Sequence, residues 1–77
     1  DWTIIRPGGL KEDEIIDNQN VLYSSKDTQT EGSIPRRLVA RCCVDAIKNK
    51  ESINKFIEIT SSKEYKKVEF KKAMQSI

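Results

Sequence analysis

The ten residues DWTIIRPGGL constrain the chain most, because a strand-forming run is cut off by a proline and two glycines. Trp2, Thr3, Ile4 and Ile5 combine aromatic, β-branched and apolar side chains, so residues 2–6 read as a strand buried on both faces. Pro7 brings no N–H to a ladder, and Gly8 and Gly9 tolerate positive φ and the close approach of other backbone or of a ligand. On these three residues alone a simple turn is the plainer reading. A gap left for a neighbouring segment or a ligand is the other.

Further along, residues 11–20 are charged and rich in turn formers, with Ile15 and Ile16 their only apolar pair. They read as a surface loop with room for a helical turn. Val21, Leu22, Tyr23 and Ser24 form a short strand, and the polar stretch 25–32 connects it to a helix. Ser33 is the expected N-cap, with Pro35 in the first turn, where a missing N–H costs nothing. Leu38, Val39, Cys42, Cys43, Ala46 and Ile47 recur at i, i+1, i+4, i+5, i+8 and i+9, the strongest periodic signal in the chain and the mark of one broad buried helix face. Asn49 and Lys50 end that helix. Residues 55–60 supply another strand through Ile57, Ile59 and Thr60. Ser61 or Ser62 is the expected cap of a last helix, whose stripe Phe70, Ala73, Met74 and Ile77 packs against a sheet.

The order strand, loop, short strand, helix, strand, helix predicts an α/β sheet with a crossover. The opening strand has no earlier strand to pair with, so the chain is expected to be the C-terminal part of a larger domain. Its 77 residues bury only a thin core, or a borrowed one.

The absence of histidine removes the commonest general base and metal ligand and leaves carboxylates, lysines and tyrosines for proton transfer. Cys42 and Cys43 are adjacent, so they cannot easily bridge each other, and they lack metal-ligand spacing; a reducing compartment and no metal are expected. With 14 basic and 12 acidic residues and a net charge of +2, the surface is mixed and solvated, and no nucleic-acid partner is expected. Lys63, Lys66, Lys67, Lys71 and Lys72, interspersed with Glu64 and Glu69, read as an exposed helix face; a phosphate- or lipid-binding module is the alternative. No signal peptide and no bilayer-spanning apolar run is apparent, so membrane contact is expected only peripherally.

Three blocks in order, DWTIIRPGGL, GSIPRRLVARCCVDAIKN and NKFIEITSS, resemble the C-terminal third of atypical short-chain dehydrogenase/reductases, especially the small NAD(P)-binding, NmrA-like group of cyanobacteria and plastids. The resemblance covers almost the whole chain. It implies a C-terminal fragment of a Rossmann-like, doubly wound parallel sheet, with residues 1–77 the C-terminal portion of one NAD(P)-binding domain whose glycine-rich half is absent. It sets Arg6 at the strand's end and Pro7, Gly8 and Gly9 beside the nicotinamide half of NADP or NAD, most of which upstream sequence would bind. Neither the glycine-rich fingerprint nor the Tyr-x-x-x-Lys pair of typical members occurs here, so no catalytic residue is assigned. Relatives carry an acid just before the Val-Ala of the helix start, where this chain has Leu38 after Arg36 and Arg37.

The resemblance implies an assembly, regulatory or scaffold factor associated with photosynthetic complexes, in the plastid stroma or cyanobacterial cytoplasm, at most at the thylakoid surface. The alternatives are an NAD(P)H-dependent oxidoreductase and a purely structural fragment without cofactor. The expected partners are the upstream part of the same domain and subunits of a larger complex.

Overall fold

Strand β5, Lys55–Ser62, is the centre of the molecule, and its β-branched residues sit where a strand is flanked on both edges. The computed structural model describes residues 1–12 and 19–77. The other elements are β1 (Thr3–Pro7), β2 (Gly9–Lys11), β3 (Asn20–Ser24), β4 (Ser33–Pro35), α1 (Arg36–Lys48) and α2 (Phe70–Gln75), with a single 3-10 turn at Lys50–Ser52. The fold is mixed α/β. β1 runs parallel to β5, with Ile4 opposite Phe56 and Arg6 opposite Glu58. β3 runs antiparallel on the other edge, with Tyr23 opposite Ile59. β2 and β4 form a separate two-stranded parallel ladder.

The core lies on one face of this sheet. Ile57 and Ile59 of β5 are fully buried in one cluster with Leu38 and Cys42 of α1 and Phe70, Ala73 and Met74 of α2. Tyr23 meets Phe70 edge to face at 5.4 Å between ring centroids, a favoured aromatic geometry. The Sγ of Cys42 donates to the Tyr23 hydroxyl at 3.9 Å. Burial pushes the Cys42 thiol up to about 11 and raises the Tyr23 phenol as well, with Cys42 as its second cause; both stay protonated at neutral pH, so this pair is packing. Lys55 Nζ donates to the carbonyls of Met74 and Ile77, supplying a cation at the end of α2, where unsatisfied carbonyls collect. The Phe70, Ala73, Met74 and Ile77 stripe packs as its spacing predicts.

Several expectations are corrected. Residues 2–6 are not buried on both faces: β1 alternates half-buried and exposed, and Trp2 and Ile4 are 53% and 47% exposed, because the helices cover only the opposite face. Ser33 is not a helix cap. It opens β4, and α1 starts one residue after Pro35 without a side-chain cap bond; the main-chain groups of Ser33 serve the ladder with Gly9. Likewise Ser61 and Ser62 continue β5, and α2 begins only at Phe70 after Glu69. Lys63, Lys66 and Lys67 therefore lie in an irregular exposed segment, and only Lys71 and Lys72 are helical.

The broad stripe of α1 is half right. Leu38 and Cys42 are buried, whereas Cys43 is exposed and Ile47 is 86% exposed. Successive rows on a helix are 100° apart. The Leu38 row lies in the core, and Val39 and Ala46 of the neighbouring row are partly buried against the same cluster, so burial fades across the stripe toward Cys43 and Ile47. The expected helical turn around Ile15 and Ile16 lies outside the described residues.

Candidate functional site

Pro7 closes β1 opposite Ile59, at the edge of the sheet where its missing N–H breaks no ladder. The chain then bends at Gly8, whose N–H donates to the Ile59 carbonyl at 2.9 Å. Gly9 donates to the Gly32 carbonyl at 3.1 Å. The glycines do different work. A Cβ on Gly8 would lie 2.8 Å from Thr60 Cγ2 and 2.9 Å from the Gly32 carbonyl oxygen, whereas one on Gly9 would meet that oxygen only at 3.6 Å. Gly32 has φ +124°, and a Cβ there would again strike Thr60 Cγ2, at 2.9 Å. The close approach written into Pro-Gly-Gly is thus, at Gly8, the approach of the protein's own residues 32 and 60. The surface left open belongs to Gly9.

The loop 25–32 folds over the same strand face. Glu58 is only 3% exposed, a rare fate for a carboxylate without partners. Its Oε2 accepts from the Asp27 N–H at 2.9 Å, and its Oε1 accepts from the N–H groups of Thr28 at 3.1 Å and Gln29 at 2.9 Å. Arg6 adds an ion pair to Oε2 at 3.2 Å and reaches Asp27 at 3.3 Å, while its guanidinium stands 5.7 Å from the Phe56 ring centre, within cation–π range. Asp27 has φ 61°, the left-handed conformation that lets successive N–H groups converge on an anion. The Gln29 side chain locks the loop further: its amide donates to the Glu58 carbonyl at 3.1 Å and accepts from the Thr60 hydroxyl at 2.6 Å.

The N–H of Gln29 is the largest cause holding the Glu58 carboxyl below its ordinary value of 4.5; desolvation opposes it, and the Asp27 N–H, Arg6 and the Thr28 N–H add to it. A carboxylate with a depressed folded pKa stabilises the fold at every pH above the unfolded value. That stabilisation is lost as pH falls through the folded value. Denaturant midpoints measured from pH 7 downward are expected to fall below about pH 4.5 in the wild type. Glu58→Gln is expected to start lower at pH 7 and to show a shallower acid limb.

Together these elements enclose a cleft of ≈ 190 Å³ beyond the carboxyl end of β1. Arg6, Pro7, Gly8 and Gly9 all line it, so the structure brings the four sequence-predicted residues together. It adds Gln29, Gly32, Glu58 and Thr60, residues whose sequence context marks only a connecting loop or a strand. One signal was available: Glu58 stands between Ile57 and Ile59, and an acid inside an apolar strand needs a partner. The missing acid before Val39 has a structural counterpart, since Leu38 is 2% exposed within the core. Among the described residues no group of acids and cysteines has metal-holding geometry, and no helix is long and apolar enough to cross a membrane.

A protein family described as NAD(P)H-binding matches residues 1–50. An uncharacterized chloroplastic protein of Arabidopsis thaliana is 42% identical over 76 residues, which cover 99% of this chain and 26% of that protein. The chain therefore spans about a quarter of the length of the curated relative it matches. A match that takes in the strand, the Arg-Pro-Gly-Gly break and the whole of α1 carries the conclusion that this chain belongs to the NAD(P)H-binding family.

Proposed function

We propose that the chain supplies one wall of an NAD(P)-binding site in an atypical short-chain dehydrogenase/reductase of the NmrA-like group, with Arg6, Pro7, Gly8 and Gly9 beside the nicotinamide half. The observation that carries this reading is the cleft at the carboxyl end of β1, where open α/β sheets bind their ligands. Its ≈ 190 Å³ falls below the roughly 300–1,000 Å³ of a full small-molecule site, so it suits one end of a dinucleotide. In the bound protein the nicotinamide ring supplies hydride chemistry. Gly9 offers the ring bare backbone, Arg6 stands half-exposed at the rim with a positive charge, and the covering loop 25–32 keeps water off one side.

We further assign the whole protein an assembly, regulatory or scaffold role with photosynthetic complexes, in the plastid. The chloroplastic relative supports that location. Its partners would be the rest of its own domain and subunits of such a complex. This role is favoured over an NAD(P)H-dependent oxidoreductase because, among the described residues, no Tyr, Lys or Cys lines the cleft, its buried acid Glu58 is committed to main-chain N–H groups, and its other acid, Glu31, is exposed to solvent.

Calorimetric titration of the full-length protein, including the upstream part of the domain, with NADPH and NADH tests the reading. Saturable binding of one of them is expected, and Gly9→Val is expected to weaken it about tenfold by occupying the open surface, with an unchanged unfolding midpoint. A wild-type protein that saturates with neither nucleotide overturns the proposal.

A further inference from the structure

We propose that Glu58 is a positioning residue for the cleft: its carboxylate, gripped by the consecutive N–H groups of Asp27, Thr28 and Gln29, holds the loop whose end forms the cleft wall. The inference rests on the cofactor reading of that cleft. Glu58 sits in the middle of the central strand, which is hydrogen-bonded on both edges. The loop it holds has no regular structure between β3 and β4, and its contacts with the sheet pass through a few polar groups. The carboxylate takes up both halves of the turn, Oε2 on Asp27 and Oε1 on Thr28 and Gln29. Gln29 then transmits the constraint through its bonds to the Glu58 carbonyl and the Thr60 hydroxyl. Three residues further on, Gly32 is pinned over Thr60 and receives the Gly9 N–H. Glu58 and the cleft floor are thus joined through Gln29, the three chain residues that follow it, and the contacts of Gly32 with Thr60 and Gly9.

The chemistry distinguishes Glu58 from a merely buried polar group. A ring of N–H donors needs an acceptor with no hydrogens of its own. Glu58→Gln keeps the volume and one oxygen but turns an NH₂ group toward main-chain N–H donors, leaving a buried donor unsatisfied. The loop is then expected to lift while the sheet beneath it, held by the ladders of β5 to β1 and β3, stays closed.

Hydrogen exchange and NADPH titration of the full-length protein as wild type, Glu58→Gln and Cys42→Ala test this. Cys42 lies in the core on α1, so its truncation controls for lost stability without touching the cleft. Exchange at residues 27–29 is expected to rise at least about tenfold in Glu58→Gln with the β5 ladder still protected, and NADPH affinity to drop about tenfold. Cys42→Ala is expected to leave affinity unchanged. Wild-type affinity in Glu58→Gln despite faster loop exchange overturns the positioning role, as does an equal loss in Cys42→Ala. If the wild type binds no NADPH, the cofactor reading falls and exchange alone decides: unprotected amides at 27–29 in the wild type overturn the anchoring, and protected ones support it. That wild-type measurement also decides the matter if Glu58→Gln does not fold.

Discussion

Ile59→Ala is expected to destabilise the protein by about 2–5 kcal/mol, the usual range for emptying a buried aliphatic site. Ile59 is 0% exposed and belongs to the cluster that joins β5 to α1 and α2. Its main-chain carbonyl still receives the Gly8 N–H in the variant, so the loss is one of packing. Ile4 provides the contrast. It lies on the opposite face of the sheet and is 47% exposed, and Ile4→Ala is expected to cost less than about 1 kcal/mol. Denaturant unfolding of the two variants measures the difference directly. Equal losses would mean that the face carrying Ile4 and Phe56 is covered as fully as the face carrying Ile57 and Ile59.

Gly8→Ala is expected to cost about 1–3 kcal/mol, as overpacking of a tight site does, and Gly9→Ala no more than about 0.5 kcal/mol. Adjacent glycines in one motif thus separate. The new methyl at Gly8 meets the Gly32 carbonyl oxygen at 2.9 Å and Thr60 Cγ2 at 2.8 Å. Neither yields cheaply, since one is backbone and the other belongs to a β-branched side chain that is stiff at χ1 and 3% exposed. Thr60→Ser removes that Cγ2 and keeps the hydroxyl that bonds Gln29. Gly8→Ala is therefore expected to cost less in the Thr60→Ser background than in the wild type, a coupling that a double-mutant cycle reads out. Strict additivity would show that the clash with Thr60 is not what excludes a side chain at residue 8.

The two predictions bear on function differently. Ile59 supports the sheet from below. Gly8 and Gly32 set how closely the β1 break and the 25–32 loop approach Thr60, and so how deep the cleft is. A substitution at Gly8 is expected to alter cofactor affinity and stability together, whereas one at Gly9 acts on affinity alone. That distinction separates the part of the Pro-Gly-Gly motif that builds the fold from the part proposed to face a ligand.

The strands around Ile4, Leu22 and Ile57 were legible in the sequence, because β-branched and aromatic runs bounded by breakers report local preference. The helix of Leu38 and Cys42, the last helix of Phe70 and Met74, and the α/β order were legible through periodicity. So was the break at Pro7, Gly8 and Gly9, whose backbone chemistry is intrinsic. Tertiary structure alone decided which face of β1 is covered, since that depends on where α1 and α2 pack and not on the composition of residues 2–6. It alone turned Ser33 from a cap into a ladder residue, because Gly9 arrives beside it from far away in sequence. It also chose between the two meanings of a close approach at Gly8, and gave Glu58 its partners. Those contacts join residues roughly thirty positions apart, and no local pattern in a sequence encodes a distance that only the folded chain creates.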